Sequence, residues 1–76
     1  MYYVYVLRNV KTQELYYGYT NDLERRLKQH NGEHERKPIY YEAYLSESDA
    51  RGRERKLKHY GQTRIRLKQR LKESLR

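Results

Sequence analysis

The order of apolar and polar positions predicts six elements. Tyr2 to Leu7 is an unbroken β-branched and aromatic run, apolar on both faces, which predicts a central strand covered on both sides. Arg8 to Gln13 is a polar connection, and Leu15 to Tyr19 is a second strand. A connection this short fits an antiparallel hairpin. Thr20, Asn21 and Asp22 then offer N-caps, with Glu24 three residues after Asn21 in a capping-box arrangement. The helix that follows runs to about His30 or Asn31, and Gly32 is expected to stop it. Its Leu23, Leu27 and His30 stand at i, i+4 and i+7, on one face.

Residues 32–38 are polar, end in the lone Pro38 and read as a loop. Ile39 to Leu45 predicts a third strand. Ser46 or Ser48 caps a second helix through about Tyr60, with Gly61 as its C′ residue. Thr63 caps a third helix whose apolar stripe is Leu67, Leu71 and Leu75. The order β-β-α-β-α-α predicts an α+β fold: a small three-stranded antiparallel sheet flanked by three helices, as one domain over residues 1–76. The chain shows no repeat, low-complexity segment or linker.

Composition narrows the class. A chain of 76 residues buries only about 60% of its unfolded surface, so the core is small. There are 10 Tyr and no Phe or Trp, so even the core carries hydroxyls. Without Cys there is no disulfide, thiolate nucleophile or Cys-ligated zinc. Met1 to Leu7, the longest uncharged apolar run, is too short to span a membrane, and no basic leader precedes it. A cytoplasmic protein is expected.

The net charge of +8 is unevenly placed. Residues 1–50 hold seven basic and eight acidic side chains. Residues 51–76 hold eleven basic side chains opposed only by Glu54 and Glu73. Such one-sided charge suits a polyanion, because Lys and Arg displace the counterions condensed on phosphates. Its plain alternative is a solvated helical surface.

Three groups of polar residues invite chemistry. Glu54 lies between Ala50 and Leu57 on the inward face of the second helix, where a carboxylate needs a basic partner or a cation. A salt bridge to a neighbouring base and a ligand for a hard divalent ion both satisfy it. Arg26 and His30, at i and i+4, could grip a phosphate and handle a proton, or simply border the core with their heads in water. Tyr3 and Tyr5 share a face of the first strand while Tyr2 points away. Gly18 inside a strand pattern signals close approach by another backbone or a ligand.

Together these residues resemble the GIY-YIG nuclease superfamily. Tyr3-Val4-Tyr5 and, ten residues on, Tyr16-Tyr17-Gly18 look like its paired motifs. The likeness continues through the helix from Thr20 to Leu27, His30-Asn31, Tyr40-Tyr41-Glu42 and Ala50 to Lys58. It covers about residues 2–60 and is similar to short stand-alone bacterial-type members, of the kind of the UvrC N-terminal endonuclease domain. The resemblance implies roles residue by residue. Tyr5 would help to deprotonate the attacking water and Tyr16 would position water or phosphate. Arg26 would steady the scissile phosphate, and His30 would relay a proton or orient Tyr5. Glu54 would be the single ligand of Mg²⁺ or Mn²⁺. Tyr3, Val4, Tyr17 and Gly18 complete the motifs. Three departures stand out: Tyr3 replaces the first motif's glycine, the segment from Gly32 to Pro38 is short and carries Glu33 and Glu35, and the late asparagine of some members has no equivalent.

The expectation is a metal-dependent DNA endonuclease with weak sequence preference, selective for branched, nicked or single-stranded DNA and linked to repair or recombination. Arg25, Lys28, Arg51, Arg53, Arg55, Lys56, Lys58, Arg64, Arg66, Lys68 and Arg70 would track the backbone, with RNA left open as a ligand. The expected setting is the cytoplasm, on the nucleoid, as a monomer or weak dimer with a protein partner supplying targeting. The alternative is a non-catalytic nucleic-acid-binding module that tethers a partner.

Overall fold

The first strand, β1 (Tyr2–Asn9), takes the centre of a three-stranded sheet because its side chains are apolar on both faces. A computed structural model describes the backbone of residues 1–33 and 35–76, and the side chains of all of these except 30–33. β1 pairs antiparallel with β2 (Leu15–Thr20) on one edge and with β3 (Arg36–Tyr44) on the other. Helix α1 (Leu23–Glu33) joins β2 to β3, and α2 (Glu47–His59) and α3 (Gly61–Arg70) follow. The element order is the expected one. No helix among the described residues is long and apolar enough to cross a membrane.

Alternation along β1 divides the molecule into two faces. Val4 and Val6 point toward α2 and α3, where they pack with Tyr17, Ala50, Leu57 and Leu67. Tyr5 points to the opposite side, across from Gly18 on β2 and Tyr41 on β3. Leu23 and Leu27 of α1, with Tyr5 and Tyr41, line a groove of about 450 Å³ on that side.

Several boundaries differ from the expected ones. Gly32 lies inside α1 rather than ending it. A glycine in the right-handed helical region costs a helix only about 1 kcal/mol, and it stops one chiefly when it turns left-handed. The supposed loop before Ile39 is partly strand: β3 begins at Arg36 and contains Pro38. The strand tolerates proline because it is an edge, and because the ladder slips there, pairing Val6 with Tyr40 but Leu7 with Pro38.

At the other end of the chain, Ser46 is the N-cap of α2, its hydroxyl accepting from the Asp49 N–H at 3.4 Å. Gly61 is not the C′ residue of α2 but the first residue of α3, and Thr63 lies within that helix rather than at its cap. The extended Tyr60 serves as the junction of both helices. The orphan carbonyls that a C′ glycine would help to satisfy are met by the Arg64 guanidinium, which donates to Leu57 O and Lys58 O at 2.9 Å each. Of the apolar stripe, Leu67 is buried and Leu71 packs against the core, but Leu75 lies beyond the end of α3.

A candidate active site on the tyrosine face

Tyr5 is the centre of the site because the strand pattern forces it there. It sits in the middle strand, 1% exposed, with its ring laid across β2. What it crosses is Gly18. A Cβ built at Gly18 would stand 2.3 Å from Tyr5 Cζ and 2.4 Å from its hydroxyl oxygen. Only glycine leaves room for the phenol, which gives the strand glycine its physical reason. Arg26, one turn into α1, reaches the same phenol: its Nε donates to Tyr5 Oη at 3.4 Å. The Arg26 Nη1 donates to Gln29 at 3.3 Å, and the side chain is exposed. Tyr16 lies on the same face, its ring centroid 6.4 Å from that of Tyr5.

Glu54 completes the set from α2. Its side chain is 24% exposed, and it forms an i, i+4 ion pair with Lys58 at 3.4 Å. Both readings of this carboxylate therefore have a foothold: it has a basic partner, and its charge acts on Tyr5. Burial, first of all, pushes the Tyr5 phenol above its ordinary 10.0, and the charges of Tyr16 and Glu54 add to that. The hydrogen bond and charge of Arg26 oppose the rise without cancelling it. Tyr5 is thus a protonated phenol at neutral pH, able to hold and orient a water; to act as a base it must first lose its own proton, a loss that a cationic neighbour favours.

Residues 1–66 match the GIY-YIG catalytic domain. The chain belongs to the GIY-YIG family. No curated protein and no solved structure matches it. Family membership carries a nuclease-type function in general, on the fold that the sheet and three helices form.

Around the GIY-YIG core, the other expected residues fall into distinct places. The side chain of His30 lies outside the described residues. Tyr3 packs edge-on against Tyr41, ring centroids 6.1 Å apart, and Val4 belongs to the opposite face. Tyr17 is also on that opposite face, and its buried hydroxyl has no hydrogen-bond partner among the described residues. Tyr17 is therefore a packing residue, separated from Tyr16 by the alternation of the strand.

The basic residues divide as well. Arg25 and Arg51, with Arg26, line a polar cleft of about 370 Å³ together with Thr20, Asn21 and Asp22. Arg51 stacks over Tyr19 at 4.9 Å and pairs with Glu47 at 3.5 Å, while the Tyr19 hydroxyl donates to Glu47 at 2.6 Å. Lys28 pairs with Glu24 at 3.6 Å on the exposed side of α1. Arg55, Lys56, Arg66, Lys68 and Arg70 are exposed. Arg53 and Arg64 are committed inward, Arg53 to Glu42 and Arg64 to the α2 carbonyls.

One neighbour of the site escaped the sequence reading. The Arg36 guanidinium lies 4.6 Å over the Tyr16 ring. Reading residues 32–38 as a loop hid it; as a strand, Arg36 pairs with Asn9 near the end of β1 where Tyr16 also sits.

Proposed function

We propose that this GIY-YIG chain is a divalent-metal-dependent endonuclease that hydrolyses DNA phosphodiester bonds, prefers branched, nicked or single-stranded sites over particular sequences, and acts in repair or recombination on the nucleoid. The observation that supports it most is the Tyr5 hydroxyl laid over Gly18 in contact with Arg26, with the Glu54 charge acting on the same phenol.

The donor set suits a hard cation modestly. No group of three or more His, Cys, Asp or Glu gathers among the described residues. A single partly exposed carboxylate, Glu54, fits an ion that keeps most of its waters, as Mg²⁺ does. The chemistry that such an ion supplies when bound is Lewis-acid polarisation of a phosphoryl oxygen. The chain's own residues do the rest. Arg26 is exposed and pre-aimed by Tyr5, so it places a fixed charge where the phosphate gains negative charge, an effect of about 10²–10³ in rate. Tyr5 orients the attacking water through its hydroxyl, and Tyr16 flanks it. Arg25 and Arg51 continue the positive path along the cleft, and the exposed bases of α2 and α3 add affinity without sequence choice.

The test is a panel of supercoiled plasmid, single-stranded and branched DNA with Mg²⁺, with Mn²⁺ or with EDTA, run on the wild type and Glu54→Ala. Metal-dependent cleavage that Glu54→Ala abolishes is the expected result. Cleavage in EDTA, or an unimpaired Glu54→Ala, overturns it. The Glu54–Lys58 ion pair favours one second reading, a binding module without turnover; salt-sensitive DNA binding with no cleavage in any metal would establish it.

A further inference from the structure

Among the described residues, a polar network of four side chains lies on the face away from Tyr5. Glu42 accepts the Arg53 fork: Nε at 3.0 and 3.2 Å from its two oxygens, and Nη2 at 3.0 Å. The Tyr40 hydroxyl donates to the same carboxylate at 2.8 Å, and the Tyr44 hydroxyl donates to its other oxygen. Tyr40, Glu42 and Tyr44 share one face of β3 by the period of two. The Arg53 and Glu42 side chains are 23% and 13% exposed, so the fork is shielded from solvent. Its hydrogen bonds run among Arg53, Glu42, Tyr40 and Tyr44, and the proposed chemistry does not use them.

Its position on α2 suggests its use. At 100° per residue, Ala50 and Leu57 fall on nearly one line of the helix, with Arg53 and Glu54 on opposite sides of that line by roughly 50° each. Ala50 and Leu57 are both fully buried against the sheet. An apolar line holds a helix down but does little to stop it rolling, because dispersion contacts lack direction and Ala50 is small. A bidentate Arg–carboxylate pair is directional. Glu42 is also well placed to transmit register: it pairs with Val4, next to the Tyr5–Tyr41 pair on the same two strands.

We infer that the Glu42–Arg53 pair, steadied by Tyr40 and Tyr44, is a positioning device that sets the roll of α2 and thereby the placement of Glu54 toward Tyr5. This rests on the reading of Glu54 as the metal ligand. Arg53 and Glu42 are positioning residues; neither touches the reacting atoms. Arg53→Lys keeps the charge and removes the fork, so α2 keeps its hydrophobic seat and gains freedom to turn.

The test uses the full chain, with two measurements. One is the Mg²⁺ concentration for half-maximal cleavage. The other needs no turnover: Mn²⁺ is added to the free protein, and the paramagnetic broadening of the Tyr5 ring signals is compared with that of the Glu54 amide. Arg53→Lys and Glu42→Gln should raise the half-saturating Mg²⁺ about tenfold, the usual effect of losing a group that orients a ligand. In both variants the Tyr5 broadening should fall while the Glu54 amide stays broadened. Leu57→Val, which weakens the core without touching the fork, should lower the melting temperature and leave the Tyr5 broadening unchanged. Should Arg53→Lys fail to fold, Tyr44→Phe removes a single support of Glu42 and reads the same contrast. Tyr5 broadening in the fork variants equal to wild type overturns the inference, whatever happens to the rate. A wild type that shows Glu54-dependent broadening but no cleavage removes the nuclease reading and leaves this inference decided by the broadening. A wild type with no broadening that Glu54→Gln abolishes overturns both.

Discussion

The two faces of the sheet use the same three residue types to opposite ends. On one face Arg53 forks a glutamate between two tyrosines, shielded and with short contacts on every side. On the other, Arg26 meets Tyr5 through a 3.4 Å contact and stays exposed, and the glutamate whose charge acts on that phenol, Glu54 of α2, is tied to a lysine on its own helix. The first arrangement satisfies its polar groups internally and so serves the fold. The second keeps charge accessible beside a buried phenol, and accessible preorganised charge is what a phosphate can use. Residue type alone does not separate structure from chemistry here; solvent access and bond length do.

The strongest way to sharpen the contrast is to remove one oxygen from each face. Tyr5→Phe should lower the cleavage rate by about 10²–10⁴, the span of a lost proton-handling group, with an unchanged melting temperature because the ring still fills its site over Gly18. Tyr44→Phe should do the reverse, with lowered stability and a much smaller change in rate. Equal losses of rate in the two variants would break the distinction between the faces. Next in size is Gly18→Ala. The new methyl would meet the Tyr5 ring at 2.3 Å, so the buried ring or the strand beneath it must shift. The expected cost is about 1–3 kcal/mol, together with loss of cleavage, read by chemical denaturation and a nicking assay.

Much of this was legible beforehand, and the gaps have physical causes. The central strand and a serine N-cap for α2 follow from local rules: a two-sided apolar run and a hydroxyl at a helix start. The glycine in the β2 pattern signalled a close approach without naming the ring that makes it, and the grouping of Tyr5, Gly18 and Arg26 came from the family resemblance. The ends of elements near glycine and proline did not follow. Gly32 and Gly61 are both helical, and Pro38 sits in an edge strand, because those outcomes depend on partners distant in sequence. Arg64 is the clearest case: its part in capping α2 is invisible until α3 folds back. The Glu42–Arg53 fork had a usable signal in Tyr40, Glu42 and Tyr44 at spacing two. The uniform basic stripe of the last third concealed that one of its arginines faces inward.

Acid titration offers a finer test of the same contrast. Burial pushes the Glu42 carboxyl up, but hydrogen bonds from Arg53, Tyr44 and Tyr40, with the charge of Arg53, outweigh it and hold the carboxyl below its ordinary 4.5. The unfolded chain therefore takes up this proton at a higher pH than the folded one. The fork's contribution is fully present above the ordinary carboxylate range and is lost as pH falls through the folded value. The stability gap between wild type and Glu42→Gln, measured by urea unfolding, should be constant near neutrality and shrink below about pH 4. A gap that stays constant into acid would mean the fork is not the source of the stability.

The smallest effect concerns a pair that belongs to neither face. Lys28 and Glu24 lie 3.6 Å apart on the outer side of α1, with side chains 77% and 84% exposed. At that exposure water and salt screen both charges, and an i, i+4 pair contributes about 0.3–0.5 kcal/mol. Glu24→Gln should therefore change stability by no more than this, and less in high salt. Its effect on DNA binding should have the opposite sign, because the substitution releases Lys28 and removes a negative charge next to Arg25 in the chain. Binding of a short duplex, followed by anisotropy across a salt series, should strengthen slightly and show a steeper dependence on salt. An unchanged salt slope would place Lys28 off the path of the DNA and restrict the α1 contribution to Arg25 and Arg26.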